Sequence, residues 1–528
     1  MAAVGYIRTR NALAREAQQR QRAEAVAAVA GDALDRVFVR LGPSRIVQSS
    51  LTGGGGEGMS IQIVGQPVIS KETAVLLEEM LPFYDRLAER TGDDVGLQRK
   101  AADARRRIGD IRQRLGQYDQ AVGAYRQASE MYGALVGQQP GDPMLPVSMA
   151  EAYNEIGKTY VLMRGIPDAQ QAHRHALDLL KATGPTSPAP ARFELARTHF
   201  LFGQRVPSEP GTKPRSPGHR GPPLLVGGLV DHPPTDDWPP PLHQPAPPST
   251  EGDSDPDREA RNQHLERAIT LLTALNQEQP ENPEYRYLLA LCYRELVAPP
   301  GQGHLNAVRK AIEILEGLVQ DFPQIADYRL DLCETYAAIE TVEPGSPQRV
   351  LPLMEERLRK ALVLSEQLTS QHPNVPEYLA SQARVHHRLG EVLRQSQRLD
   401  DAENHDRKAL DIQAQLAKGF PEVVTYQVWE AAFRNSLADL LLRRDKLAEI
   451  RAIADTNIAR TSRLLKDSPE LWYLHGLLME SNRTLAAALR RSGEAEQASK
   501  AETQAERHRS KLGEGSRLPA AGPTGPRP

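Results

Sequence analysis

The chain is 528 residues long, too long for one compact core, so several domains or an extended repeat array are expected. Its 68 acidic and 65 basic residues nearly cancel to a formal charge of −3, without the basic excess of a nucleic-acid binder. Two cysteines are too few for a disulfide framework or a four-ligand zinc site, and no stretch approaches the roughly 20 apolar residues that cross a bilayer.

Residues 1–41 read as one Ala/Arg/Gln/Glu-rich helix, a solvated or coiled-coil-like stalk with apolar Leu13, Val26, Val29, Leu34, Val37 and Phe38. At its start a short apolar stub precedes Arg8, Arg10 and Arg15, the reverse of the order in a signal peptide, so a cytoplasmic location is the default. Residues 42–70 read as a flexible linker, with the run Gly53 to Gly56 and a strand-like Ser60–Val64. A helix follows from about Lys71 to Arg90, with Leu76, Leu77, Met80, Phe83, Tyr84 and Leu87 at helical spacing. It opens a block of helical repeats over 71–203. Residues 204–257 read as a Pro-rich insertion, with 15 of the 41 prolines between 207 and 256, which cannot build a core and reads as disordered or polyproline II. A second repeat block covers 258–512, and the Gly/Pro-rich 513–528 reads as a disordered tail.

The repeats are marked by prolines. Pro280, Pro323, Pro373, Pro421 and Pro469 close amphipathic helices at intervals of 43, 50, 48 and 48 residues, and Pro140 closes an earlier one. An aromatic opens the following helix at Tyr285, Tyr328, Tyr378, Tyr426 and Tyr473. Within the units a large–small–large–small pattern recurs. It runs through Tyr153, Ile156, Gly157, Tyr160, Ala169 and Ala176, through Leu389, Gly390, Leu393, Ala402 and Ala409, and through Ile108, Gly109, Ala121, Tyr125 and Ala128. Ala438, Ala486, Val297 and Glu340 stand where other units carry the small glycine.

This pattern resembles the tetratricopeptide repeat. The resemblance implies an all-α fold, a solenoid of antiparallel helix pairs wound into a right-handed superhelix, with second helices extended because the units exceed the family's usual length. The segments LLEEMLPFYDRLAERTGDD, RRRIGDIRQRLGQYDQAVGAYRQA and ELARTHF are also similar to the repeat-bearing C-terminal region of large bacterial membrane-anchored serine/threonine kinases. That resemblance implies a membrane helix ending at the stub Met1–Ile7; the kinase domain itself has no counterpart in the sequence, and no kinase activity is carried over.

Motifs of catalysis are weak throughout. Gly53, Gly55 and Gly58 satisfy GxGxxG but lack a preceding strand and a following helix, and Gly157-Lys158-Thr159 lies inside a repeat helix without the upstream glycine of a phosphate loop. His173/His175 and His386/His387 are the close histidine pairs; neither has metal-binding spacing, and both read as surface or groove residues. Cys292 and Cys333 read as small core residues. Five arginines between Arg105 and Arg114 have Asp103, Asp110 and Asp119 nearby, the pattern of a solvated helix face. No catalytic residue, cofactor or metal is assigned.

By family register, the partner groove is lined by Arg106, Asp110, Asn154, Lys158, His387 and Glu391. The family's carboxylate clamp uses Lys and Asn in positions like those of Lys158 and Asn154, Asn donating a hydrogen bond and Lys a charge. The leading functional expectation is a non-catalytic scaffold that binds other proteins or peptide segments and takes no small-molecule substrate. The alternatives are the sensor or regulatory region of a serine/threonine kinase, membrane-associated through a helix missing here, and a nucleic-acid-associated helical repeat acting through Arg99–Arg114.

Overall fold

A computed structural model describes residues 47–52, 60–65, 71–89, 95–163, 165–204, 256–296, 302–338, 347–469 and 471–515. The 1–41 stalk, nearly all of the 204–257 insertion and all but the first three residues of the 513–528 tail lie outside them. The chain divides into two compact units, one ending at Leu201 and one holding residues 47–66 and everything from Phe202 onward.

One part of the presumed linker is regular. Val47–Thr52 (β1) and Ser60–Gly65 (β2) pair antiparallel, with Val47 opposite Gly65 and Thr52 opposite Ser60. The strand-like Ser60–Val64 therefore has a partner that the sequence reading missed, because VQSSLT carries no strong strand pattern. The glycine run lies between the strands, outside the described residues.

The helices of the first unit are α1 (Lys71–Ala88), α2 (Val95–Arg114), α3 (Tyr118–Gln138), α4 (Met144–Leu162), α5 (Ile166–Leu180) and α6 (Ala189–Gly203), the last reaching the boundary. The second unit holds α7 (Pro256–Glu278), α8 (Pro283–Glu295), α9 (Gln302–Asp321), α10 (Ala326–Ala338), α11 (Pro347–Gln371), α12 (Pro376–Gln395), α13 (Leu399–Gly419), α14 (Val424–Arg443), α15 (Leu447–Asp467), α16 (Leu474–Arg491) and α17 (Ala495–Gly515). Sequential antiparallel packing makes the pairs α2/α3, α4/α5, α8/α9, α10/α11, α12/α13, α14/α15 and α16/α17. Apart from the β1–β2 hairpin, the described residues form an all-α, tetratricopeptide-like fold. Extension is not confined to second helices: α8 and α10 have 13 residues, but α12 and α14 have 20, nearly matching their partners.

Two turns recur, and each has a local cause. Within pairs, the first helix ends with a backbone N–H reaching back to a carbonyl one turn earlier: Gln117 to Arg112, Gly165 to Tyr160, Arg398 to Leu393, Lys446 to Leu441 and Glu494 to Leu489, at 2.8–3.1 Å. This closure calls for a left-handed residue. Gly116 and Gly493 supply it at φ of 74° and 79°; Gln397 adopts φ of 61° against the preference of its side chain, and Asp445 φ of 55°, which a short polar side chain tolerates better. Between pairs, a residue before proline closes the second helix. The N–H groups of Gln139, Gln279, Phe322, His372, Phe420 and Ser468 donate to leucine carbonyls four residues back, all six leucines being buried. Their own carbonyls then accept from the residue three further on, at 3.0–3.2 Å, and the intervening proline supplies the fixed φ of the turn without needing a donor. Edge-on contacts of Phe322 with Tyr328, His372 with Tyr378 and Phe420 with Tyr426, at centroid distances of 5.7–6.3 Å, fasten the next helix to this corner.

Inside the pairs the small residues do what their size permits. A methyl group on Gly109 would lie 2.5 Å from the Tyr125 ring, one on Gly157 2.3 Å from His173, and one on Gly390 2.4 Å from Asp406. The large partner stands 16 residues after the glycine each time; 16 residues after Ala438 the chain has Ala454. The buried clusters bridge consecutive helices. Leu77, Met80 and Tyr84 of α1 meet Ile108 and Ile111 of α2, and Trp429 and Phe433 of α14 gather Ala383, Ala409, Leu464 and Leu474. Each fully buried leucine of this kind contributes about 1.5–3 kcal/mol.

Gly109→Ala is expected to lower stability by about 1–3 kcal/mol through overpacking against Tyr125. Gly123→Ala in the next helix, where nothing lies within 4 Å of the added carbon, raises it by up to about 1 kcal/mol through helix propensity. Urea midpoints of the two variants against the parent check the pair. Gln397→Gly and Asp445→Gly should each stabilise by about 1 kcal/mol by relieving left-handed backbone, readable in the same measurement.

Candidate partner-binding face

The six groove residues lie on the first helices α2, α4 and α12, and their environments differ. Arg106 stands 3.6 Å from Glu151 of α4 and is about 29% exposed. Burial works against its charge, but Asp110 and Glu151 outweigh burial and hold the guanidinium more firmly protonated than usual. Asp110 accepts from Arg107 at 2.8 Å and from the Tyr125 hydroxyl at 2.9 Å. Lys158, 27% exposed, donates to Glu155 at 2.9 Å. Glu391, 26% exposed, faces Arg388 at 3.4 Å.

Asn154 and His387 differ from the groove reading. Asn154 is wholly buried. Its amide donates to Glu194 at 2.6 Å and to Thr198 at 2.8 Å on α6, and its carbonyl oxygen lies 3.1 Å from Nδ1 of His173 on α5. No donor remains for a partner's carboxylate, so the clamp reading fails at its asparagine. The reason lies in α6, which presents Glu194 and Thr198 to that position. The His387 side chain is 12% exposed and turned into the stack: its ring lies 4.6 Å from that of Phe433, and its nitrogens lie 3.7 Å from Asp406 and Glu391. The expected surface histidines His173 and His386 are likewise buried. For His173 the space above Gly157 admits the ring, and burial with nearby Arg197 lowers its pKa to about 4.

The network that captures Asn154 also contains groups the sequence reading did not select. Glu155 of α4 takes ion pairs from Lys158 and from Arg197 of α6, and Arg197 also reaches Glu194 at 3.1 Å. Burial would raise the Glu155 carboxyl, yet Lys158 and Arg197 bring it down to about 2, while burial pushes Glu194 up against the pull of Arg197. Equivalent ties recur in the second unit. Arg294 of α8 reaches Asp331 of α10 at 2.6 Å, Glu334 of α10 accepts from Arg384 of α12 at 2.8 Å, and Arg394 of α12 reaches Asp439 of α14 at 3.4 Å. Partners in the two units stand 37–50 residues apart, about one repeat. That spacing of opposite charges is the signal that could have found them. The second helix α13 is tied to the turn between α14 and α15, where its Glu403 meets Arg444 and Lys446, and against burial Lys446 and Arg407 bring the Glu403 carboxyl to about 2.

The basic stretch of α2 is occupied by its own neighbours. Arg99 pairs with Asp142, Arg105 with Asp85, Arg106 with Glu151 and Arg107 with Asp110. Cys292 and Cys333 are buried free thiols; burial raises both, Cys333 to about 12. Among the described residues no group of three or more His, Cys, Asp and Glu side chains is placed to hold a metal, and no helix is long and apolar enough to cross a membrane.

Asn154→Ala is expected to cost about 1–3 kcal/mol, because it removes from a buried network the amide that serves Glu194, Thr198 and His173 at once. Lys158→Ala removes a partly exposed cation whose partner Glu155 keeps Arg197, and costs less, about 1 kcal/mol. Urea unfolding of both variants distinguishes a structural asparagine from a binding one.

No protein-family profile matches the sequence, and no curated protein matches it. Among solved structures, a thermophilic tetratricopeptide protein of Thermus thermophilus is similar at 22% identity, covering 43% of this chain and 92% of its own, with a TM-score of 0.24. The apo form of RapI is similar at 10% identity, covering 76% of this chain and 98% of its own, with a TM-score of 0.33. A STAND-class signal-transduction ATPase with a tetratricopeptide repeat sensor, from Pyrococcus horikoshii, is similar at 9% identity, covering 81% of this chain and 54% of its own, with a TM-score of 0.39. At TM-scores this low the likenesses decide nothing about function, and the tetratricopeptide-like fold rests on the chain's own helix pairs, their turns and their small-residue contacts.

Proposed function

We propose that the chain is a non-catalytic protein-interaction scaffold whose first helices offer partner segments a face of half-buried, mutually paired charges. The observation that carries this reading is the placement of those charges. In the first unit Arg106, Glu151, Lys158 and Arg197, and in the second Arg384, Arg388 and Glu391, keep between about a sixth and a third of their surface in solvent. Apolar groups from the same helices fill the core instead. The more solvent-facing of these pairs, Arg106 with Glu151 and Arg388 with Glu391, contribute little stability, so a peptide bearing its own charges can exchange partners with them at small cost. Arginine is well suited to the task, since its planar fork takes a carboxylate in two hydrogen bonds. The partner class that fits is an extended or helical peptide of mixed charge.

The test is affinity capture from a native lysate at moderate salt with the parent chain, with Arg106→Glu/Lys158→Glu, with Arg388→Glu, and with Arg463→Glu on the outer side of α15, where the arginine is 85% exposed. A discrete protein lost with a first-helix variant and kept with Arg463→Glu is the expected result. Equal capture by all four chains, or recovery of nucleic acid alone, contradicts the proposal.

A further inference from the structure

Two cross-helix histidine contacts stand apart from the ionic ties. His386 of α12 faces His405 of α13 with their Nδ1 atoms 2.9 Å apart, and His475 of α16 faces His508 of α17 with Nδ1 atoms 2.8 Å apart. The ring centroids are 5.1 Å apart in both pairs. That separation exceeds the nitrogen–nitrogen distance by only about two ring radii, so each imidazole points its Nδ1 straight at the other. The arrangement is an N–H···N hydrogen bond between rings. It is not a pair of lone pairs converging on one side, as a chelated metal requires.

Such a bond has a narrow protonation requirement. One Nδ1 must carry a hydrogen and the other a free lone pair. The contact survives a single added proton, but a second places two N–H groups and two positive charges head to head, and the bond is lost. The surroundings favour the neutral rings. Around the first pair stand Lys408 of α13 and Arg359 of α11, with Asp401 and Asp406 of α13 as the opposing charges at His405. Around the second stands Lys511 of α17. Burial is the main cause in every case, and all four histidines lie below the ordinary value, His386 at about 4.

We propose that these two ring-to-ring contacts are proton-operated latches, which hold α12 to α13 and α16 to α17 at neutral pH and release both helix pairs in mild acid. The sign follows from linkage. The folded pKa values are depressed, so the stabilisation is fully present above the unfolded value of about 6.5 and is lost as pH falls below it, for His386 down to about 4. Local opening lets the rings take up protons, which costs each pair about tenfold in opening equilibrium per pH unit for every histidine held neutral. The pair α14/α15, placed in sequence between the two latches, contains no histidine and serves as an internal standard.

The experiment is hydrogen–deuterium exchange of the full chain, resolved by peptide and corrected for intrinsic rates, at about pH 7.5 and about pH 5. The expected result is that α12/α13 and α16/α17 lose at least about tenfold more protection than α14/α15. His405→Asn and His508→Asn each put a non-titrating amide where Nδ1 stood, and each should cut the excess loss at its own pair by at least about threefold while leaving the other pair unchanged. Uniform loss across the three pairs overturns the proposal, as does an excess that persists unchanged in the asparagine variants. The comparison of pairs within the parent chain decides the matter even if a variant does not fold.

Discussion

A pair of antiparallel helices of this size cannot bury its apolar face alone, and every other feature of the chain follows from that constraint. Each pair must offer its neighbour a surface that fits in only one register. The fit here combines two devices. Small residues such as Gly109, Gly157 and Gly390 bring the helices of a pair together beneath a large partner. Ion pairs between successive first helices, such as Glu155 with Arg197 and Glu334 with Arg384, then fix one pair against the next. The first device sets the spacing within a pair and the second sets the order of pairs.

The second device also explains the character of the candidate face. An ion pair that registers two helices must sit where both can reach it, at the seam, mostly buried but with an edge in solvent. The same side chains that hold the stack therefore form the surface a partner would meet. Burial decides which of them remain available. Asn154 lies deep enough that Glu194, Thr198 and His173 consume both ends of its amide, whereas Lys158, one turn along, keeps its ammonium at the surface. The histidines follow the same logic: His173 bonds to an amide that tolerates its protonation, while His386 and His475 bond to rings with which they can share one added proton but not two.

Much of this was legible in the sequence. The prolines at Pro323, Pro373 and Pro421 and the tyrosines after them predict the corners because proline fixes φ and removes a donor, and the structure places a turn at each. The glycine register predicts which helices pair, since only one arrangement gives Gly157 and Gly390 a bulky neighbour. What was not legible depends on distant partners. Family register puts Asn154 and His387 on the face, but whether they reach it is decided by Glu194 and Thr198, 40 or more residues away, and by Phe433 on α14. The pairing of Val47–Thr52 with Ser60–Gly65 escaped notice for a similar reason, because only the second strand has a readable pattern.

The claim that buried charge sets the order of pairs is tested most directly by a double-mutant cycle on Glu155 and Arg197, with Glu155→Gln, Arg197→Met and the combination measured in urea at neutral pH. The account predicts that each single change costs about 1–3 kcal/mol, since Glu155 keeps Lys158 and Arg197 keeps Glu194 when the other partner is removed. It also predicts that the double variant recovers at least about 1 kcal/mol of the summed loss. Additive losses, with no coupling between the two sites, would contradict it.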